Sequence, residues 1–146
     1  MSDFIILEND QVIFIPAFGA AVVTVQPGIM KATGKTTLGG KKICVVGDEA
    51  QLSVPGCPYM TPQYVTPGVG TLKIEKLAGN QQSKKTKSGG KKIILKGMML
   101  KAKFEVQTPA QDPTPVATGG SPIPDGTRSY SGQGSFQTTN MKFKVS

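Results

Sequence analysis

Lys35-Thr36-x-x-Gly39-Gly40-Lys41-Lys42-Ile43-x-x-x-Gly47 returns fifty positions later as Lys85-Thr86-x-x-Gly89-Gly90-Lys91-Lys92-Ile93-x-x-x-Gly97, with eight of the thirteen positions identical. A weaker echo, Gly119-Gly120-x-x-Ile123, comes near the C-terminal end, with Gly126 one place early for the pattern. A chain that reuses one glycine-punctuated strand unit is built by stacking or folding those units against each other. The spacing is too long for a β-solenoid coil, and the unit recurs too seldom for a propeller of four or more blades. Duplication inside one small β domain fits better than the competing reading, a coincidence of Gly-Gly-Lys-Lys turns in a lysine-rich chain.

With 146 residues the chain has the length of one ordinary domain, able to bury a core without disulfides or metal. The expectation is a single domain over 1–146, with N-terminal strands in 1–30, a repeat-containing β core in 31–106, a loop-rich segment in 107–128 and C-terminal strands in 129–146. Its 18 glycines and 11 prolines, beside abundant Val, Ile and Thr, suggest many short strands joined by tight turns.

Alternation carries the strand assignments. Residues 71–77 place Leu72 and Ile74 opposite Lys73 and Glu75, and residues 99–106 place Leu100, Ala102, Phe104 and Val106 opposite Lys101, Lys103 and Glu105. Residues 141–145 place Met141, Phe143 and Val145 opposite Lys142 and Lys144. This is the pattern of half-buried antiparallel strands that show lysine to solvent. Residues 4–7 and 12–15 read as a hairpin around Glu8-Asn9-Asp10-Gln11, and 20–25 and 43–46 as further strands. The prolines of 55–70 predict neither a helix nor a central strand there, and 109–128 reads as a second, extended surface loop. No sustained helical period occurs.

Several function classes drop out. Histidine is absent, so there is no Ser-His or Cys-His nucleophile pair and no imidazole base near neutral pH. The nine acidic residues are scattered, which gives no pair of carboxylates for acid and base roles. Cys44, in an apolar run, reads as a small buried hydrophobe, and Cys57 sits in a Pro-Gly-Cys-Pro loop; two cysteines make neither a disulfide framework nor a closed zinc site. Gly34-Lys35-Thr36 imitates a P-loop, but the position that requires glycine is Ile29 and the segment runs into a β-branched strand. The expectation is therefore no enzyme, no catalytic residues, no cofactor and no metal.

The net charge of +8 raises a different possibility. Lys84, Lys85, Lys87, Lys91 and Lys92 form the densest basic cluster and could track a phosphate backbone, as in a small basic β-barrel that binds nucleic acid. Against it, Arg128 is the one arginine and the aromatics do not interleave with the lysines. Solvated lysine on strand faces and edges is the simpler explanation.

Gly40-Lys41-Lys42-Ile43-Cys44-Val45-Val46-Gly47-Asp48 resembles the core of the PAAR-repeat family, in which a Gly-Lys turn leads into Gly-Asp. Gly56-Cys57-Pro58-Tyr59-Met60-Thr61-Pro62, Pro67-Gly68-Val69-Gly70-Thr71-Leu72 and the second turn at Gly90-Lys91 extend the likeness. In its overall run the chain is similar to the PAAR-like spike-tip proteins of contractile injection systems of the antifeeding-prophage and Photorhabdus-virulence-cassette type, over about residues 30–146. The Pro-Ala-Ala-Arg tetrad is replaced by Lys42-Ile43-Cys44-Val45, and the histidines that hold an apex metal in many members are missing.

The resemblance implies a small all-β, cone-shaped domain with an internal pseudo-threefold repeat. It would sit as one copy on a trimeric β-helical spike, cap and sharpen it, and help it pierce a target envelope. Gly39, Gly40, Gly47, Gly89, Gly90 and Gly97 would be its structural turn glycines. The implied partners are the spike, a toxin cargo if one hangs from 109–128, and transiently the target membrane, with no nucleic acid. No leader or membrane span is visible in the sequence, so the expectation is synthesis in the bacterial cytoplasm and assembly at the tip of a phage tail-like particle that is released from the cell.

Overall fold

In the computed structural model residues 3–138, 140 and 144–145 are described, and they form an all-β protein. Strand Leu100–Thr108 shows why. Leu100, Ala102 and Phe104 are buried while Lys101 is exposed, so the two-residue period of the sequence becomes one apolar and one charged face. Gly68–Lys76 does the same with Leu72 and Ile74, and its Lys73 meets Glu105 of the neighbouring strand at 3.2 Å.

These strands lie at the centre of an eight-stranded sheet in the order Ala17–Phe18, Ala21–Val23, Ser53–Met60, Gly68–Lys76, Leu100–Thr108, Ser129–Gln137, Gln11–Phe14, Gly28–Ile29. Ala17–Phe18 at one end follows Gln11–Phe14 near the other after only two residues. The sheet therefore curls back on itself, and its seam is stitched where Ile15 N–H donates to the Gln133 carbonyl (2.9 Å) and Val23 N–H to that of Pro16 (3.0 Å). The result is a curled half-barrel in which Gly28–Ile29 remains an end strand.

Inside the curl the ring of Phe104 packs against Tyr59 and Phe18, with centroids 5.1 and 6.1 Å away. Gly70 and Gly132 make room: a Cβ on the first would overlap Phe104, and on the second Phe18. Each fully buried aromatic of this kind contributes about 1.5–3 kcal/mol relative to exposure. The Tyr59 hydroxyl accepts the Ala110 N–H (2.9 Å) and donates to Asp125 (2.9 Å), which also takes the Tyr130 hydroxyl (2.6 Å) and the Thr127 N–H (2.9 Å).

Four expectations change. Residues 4–7 and 12–15 do not pair as a hairpin; Asp3–Phe4 pairs with Lys144–Val145 and Gln11–Phe14 with Ser129–Gln137, because Asn9, at φ 72°, turns the chain from one unit into the other. Ser53–Met60 is an interior strand despite Pro55 and Pro58. A register irregularity between Val54 and Cys57, with Gly56 at φ 74°, takes Pro55 out of the ladder, and the Pro58 carbonyl accepts the Thr24 N–H at 2.8 Å. Residues 109–128 are not plain loop: Gln111–Asp112 pairs with Ile123–Pro124, and Gln111 exchanges two backbone bonds with Thr66. Thus Ile123, expected as the third echo of the repeat, pairs with Asp112 and not with either repeat copy. Met141 and Phe143 of the expected last strand lie outside the described residues, while Lys144–Val145 is a strand.

Replacing Tyr59 with Phe leaves the buried Ala110 N–H without its acceptor and Asp125 without one of its donors, so we expect Tyr59→Phe to lose about 1–3 kcal/mol in urea unfolding. Burial works to raise the Asp125 carboxyl, but the hydrogen bonds from Tyr130, Thr127 and Tyr59 outweigh it and hold it below the usual aspartate value. Its stabilising contribution is thus complete above the unfolded-state pKa and fades as pH falls through the lower folded one. Asp125→Asn is expected to flatten this acid limb of the stability curve, measured as denaturation midpoint against pH.

Candidate functional site

Three short segments, residues 5–8, 43–46 and 93–96, meet in a hub outside the curled sheet. Ile6 N–H donates to the Ile94 carbonyl (3.0 Å), Ile94 N–H to that of Cys44 (3.0 Å), and Cys44 N–H to that of Ile6 (2.8 Å), which closes a cycle. A second set runs the other way round: Glu8 N–H to Lys42, Val46 N–H to Lys92 and Lys96 N–H to Phe4, at 2.8, 2.8 and 2.9 Å. Bridges Leu7↔Ile43, Val45↔Ile93 and Ile5↔Leu95 accompany them.

The side chains sort by the two-residue period. Ile6, Cys44 and Ile94 are wholly buried and face the core of the sheet, whereas Ile5, Leu7, Ile43, Ile93 and Leu95 form a second apolar cluster with Leu38 and Val145. Burial, with the carboxylates of Asp48, Asp10 and Glu8 adding to it, pushes the Cys44 thiol far up, so it packs as a small hydrophobe. Cys44 and Cys57 are both free thiols.

Each segment is entered through a two-stranded arm. Thr37–Leu38 pairs with Lys41–Lys42 across Gly39-Gly40, and Gln82–Ser88 pairs with Lys91–Ile94 across Gly89-Gly90. All four glycines have positive φ, from 57° to 84°, as a two-residue hairpin turn of the primed type demands. The third arm is Asp3–Phe4 against Lys144–Val145, in the same register: Thr37↔Lys42, Lys87↔Lys92 and Lys144↔Phe4 occupy corresponding places. Arms also touch side to side, with the hydroxyls of Thr36 and Ser88 3.2 Å apart.

Each segment leaves the hub through a residue of positive φ, namely Asn9 (72°), Gly47 (114°) and Gly97 (54°). Behind two of these stand buried aspartates. Asp10 accepts the Leu7 N–H at 2.7 Å and Asp48 the Val45 N–H at 2.9 Å, and Asp48 also binds the N–H and hydroxyl of Thr33. Sequence reasoning thus named six glycines that all lie in the hub or its arms, but missed the segment 5–10. Its signals were present: Ile5-Ile6-Leu7 equals Ile93-Ile94-Leu95, and Asp10 stands where Asp48 does.

Lys84, Lys85 and Lys87, on one strand of the second arm, and Lys91 and Lys92, on the other, are all exposed. They stand on the two paired strands of one hairpin. Gly34 and Lys35 lead into the first arm and not into a helix, so the P-loop likeness ends there. Among the described residues no three His, Cys, Asp or Glu side chains converge as metal ligands, so the residues do not fit a histidine-type apex centre. The Cys57 thiol lies instead on an interior strand of the sheet, donating to the Val54 carbonyl.

A hub of interlocked main chain and glycine-turned arms thus stands on a curled all-β sheet. The family model of the contractile injection system spike tip protein matches residues 1–146, and the chain belongs to that family. It is a structural component of a tail-like particle. No curated protein matches the sequence.

The hub turns give a stability test. A Cβ at Gly97 would stand 2.8 Å from the Asn80 Oδ1 on a backbone of φ 54°, while one at Gly79 would meet nothing. Gly97→Ala is expected to cost more than about 1 kcal/mol and Gly79→Ala less than about 0.5, by urea unfolding.

Proposed function

We propose that the three hub segments form a pseudo-threefold unit by which one copy of this chain caps the blunt end of a trimeric β-helical spike. The observation that carries this reading is the cycle of hydrogen bonds through Ile6, Ile94 and Cys44, repeated one register step away by Glu8, Val46 and Lys96. A single chain that docks on three identical subunits must offer three similar surfaces, and three corresponding strand segments and arms do so.

On this reading the role is mechanical. The curled sheet supports the hub, the tip narrows the spike, and the assembly is driven through a target envelope when the sheath contracts. No catalytic group takes part. The chain is made in the bacterial cytoplasm and enters the particle there.

Co-expression with the spike protein of the same injection system, followed by native mass spectrometry, tests the stoichiometry. One copy of this chain per three spike subunits is expected; three copies per trimer, or no complex, contradicts the reading.

A further inference from the structure

We propose that the arms bind a ring of carboxylates repeated on the three subunits of the spike, through lysines set at corresponding places on different arms; this rests on the docking reading above. The register puts Lys41 with Lys91, Lys42 with Lys92, and Lys87 with Lys144. All six are exposed. Lys41 with Lys91 and Lys42 with Lys92 follow the duplicated unit, but Lys144 takes the place of Lys87 on an arm outside it. Each place is lysine on two of the three arms, with Asp3, Phe4 and Thr37 in the remaining ones, and a partner with identical subunits presents each acidic group three times.

Among the described residues, the arm lysines form no ion pair. On the curled sheet lysine is interleaved with glutamate, and Lys73 and Lys103 both reach Glu105, at 3.2 and 3.6 Å. In the arm strands the acidic residue is Asp3, and its carboxylate is taken up by the Gly97 and Phe4 N–H groups, each at 2.7 Å. Moreover, Lys87 lies directly opposite Lys92 in the ladder. Like charges in that position weaken a strand pair, so the fold tolerates a local penalty that an anionic partner would relieve.

The chemistry favours carboxylates on a protein over the phosphates of nucleic acid or lipid. The arm strands contain no arginine, the residue suited to bidentate phosphate contacts, and the Lys144 ammonium, 4.5 Å from the Phe4 ring centroid, already occupies one face of that ring. The lysines would form a charged rim that steers docking around main-chain and apolar contacts.

The test measures affinity of the purified chain for the spike trimer of the same system at two salt concentrations, about 0.05 M and about 0.5 M, where screening lengths differ severalfold. Lys42→Glu with Lys92→Glu is expected to weaken binding at least tenfold at low salt, the Gln versions less, and high salt to narrow the gap. Lys101→Glu, on the curled sheet, leaves binding unchanged. Lys92→Glu alone removes the repulsion from Lys87, so its melting temperature is expected to hold or rise, which separates a docking defect from misfolding. Wild-type binding that ignores salt, with the double variant binding equally well, overturns the inference and leaves the tip reading standing. So does a double variant that keeps the spike but loses adhesion to anionic vesicles or duplex DNA. No wild-type complex at all contradicts the tip reading itself.

Discussion

The rest of the molecule depends on a cycle of three backbone hydrogen bonds. Ile6, Cys44 and Ile94 are wholly buried, so their N–H and C=O groups have no water to turn to. A net hydrogen bond adds about 1 kcal/mol, but an orphaned buried group costs about 1–3 kcal/mol, and the cycle satisfies three donors and three acceptors at once. The arms are too short to persist alone, since two-stranded ribbons are marginal in water. They are held because each is continuous with a hub segment whose apolar residues are locked between the sheet core and the second cluster.

This division of labour gives the two halves of the molecule different chemistry. The curled sheet is stabilised by a closed aromatic core and by charges of both signs on its outer face. The hub and arms gain order from main-chain geometry and carry exposed lysine that forms no ion pair among the described residues. Rigid main-chain interlocking suits the structural role of a spike tip protein. The Tyr59–Asp125–Tyr130 cluster serves the same end by tying residues 109–128 to the sheet.

What the sequence made legible was local. The alternation in 71–77 and 99–106 specified faces correctly because each strand is half-buried, and the Gly-Gly turns stood out because a two-residue hairpin needs positive φ at both positions. The third hub segment was hidden for a physical reason. Asn9 takes the left-handed turn that Gly47 and Gly97 take, as asparagine can, and the third arm has no Gly-Gly turn because it joins residues distant in sequence, Asp3–Phe4 and Lys144–Val145. Glycine-based matching therefore passed over it and settled on Gly119-Gly120, whose neighbour Ile123 belongs to a different ribbon. Ser53–Met60 was hidden by its prolines, since a bulge that admits them leaves no mark in composition. The curl of the sheet was invisible too, because it rests on pairings such as that of Ile13 with Ser135.

The most direct measurement is an electron-microscopic reconstruction of the particle's spike end without imposed symmetry. The account expects one copy of this chain at the end of the trimer, with residues 5–8, 43–46 and 93–96 each turned toward a different spike subunit. Three copies arranged about the axis, or a single copy attached through the curled sheet with the hub facing outward, would contradict it.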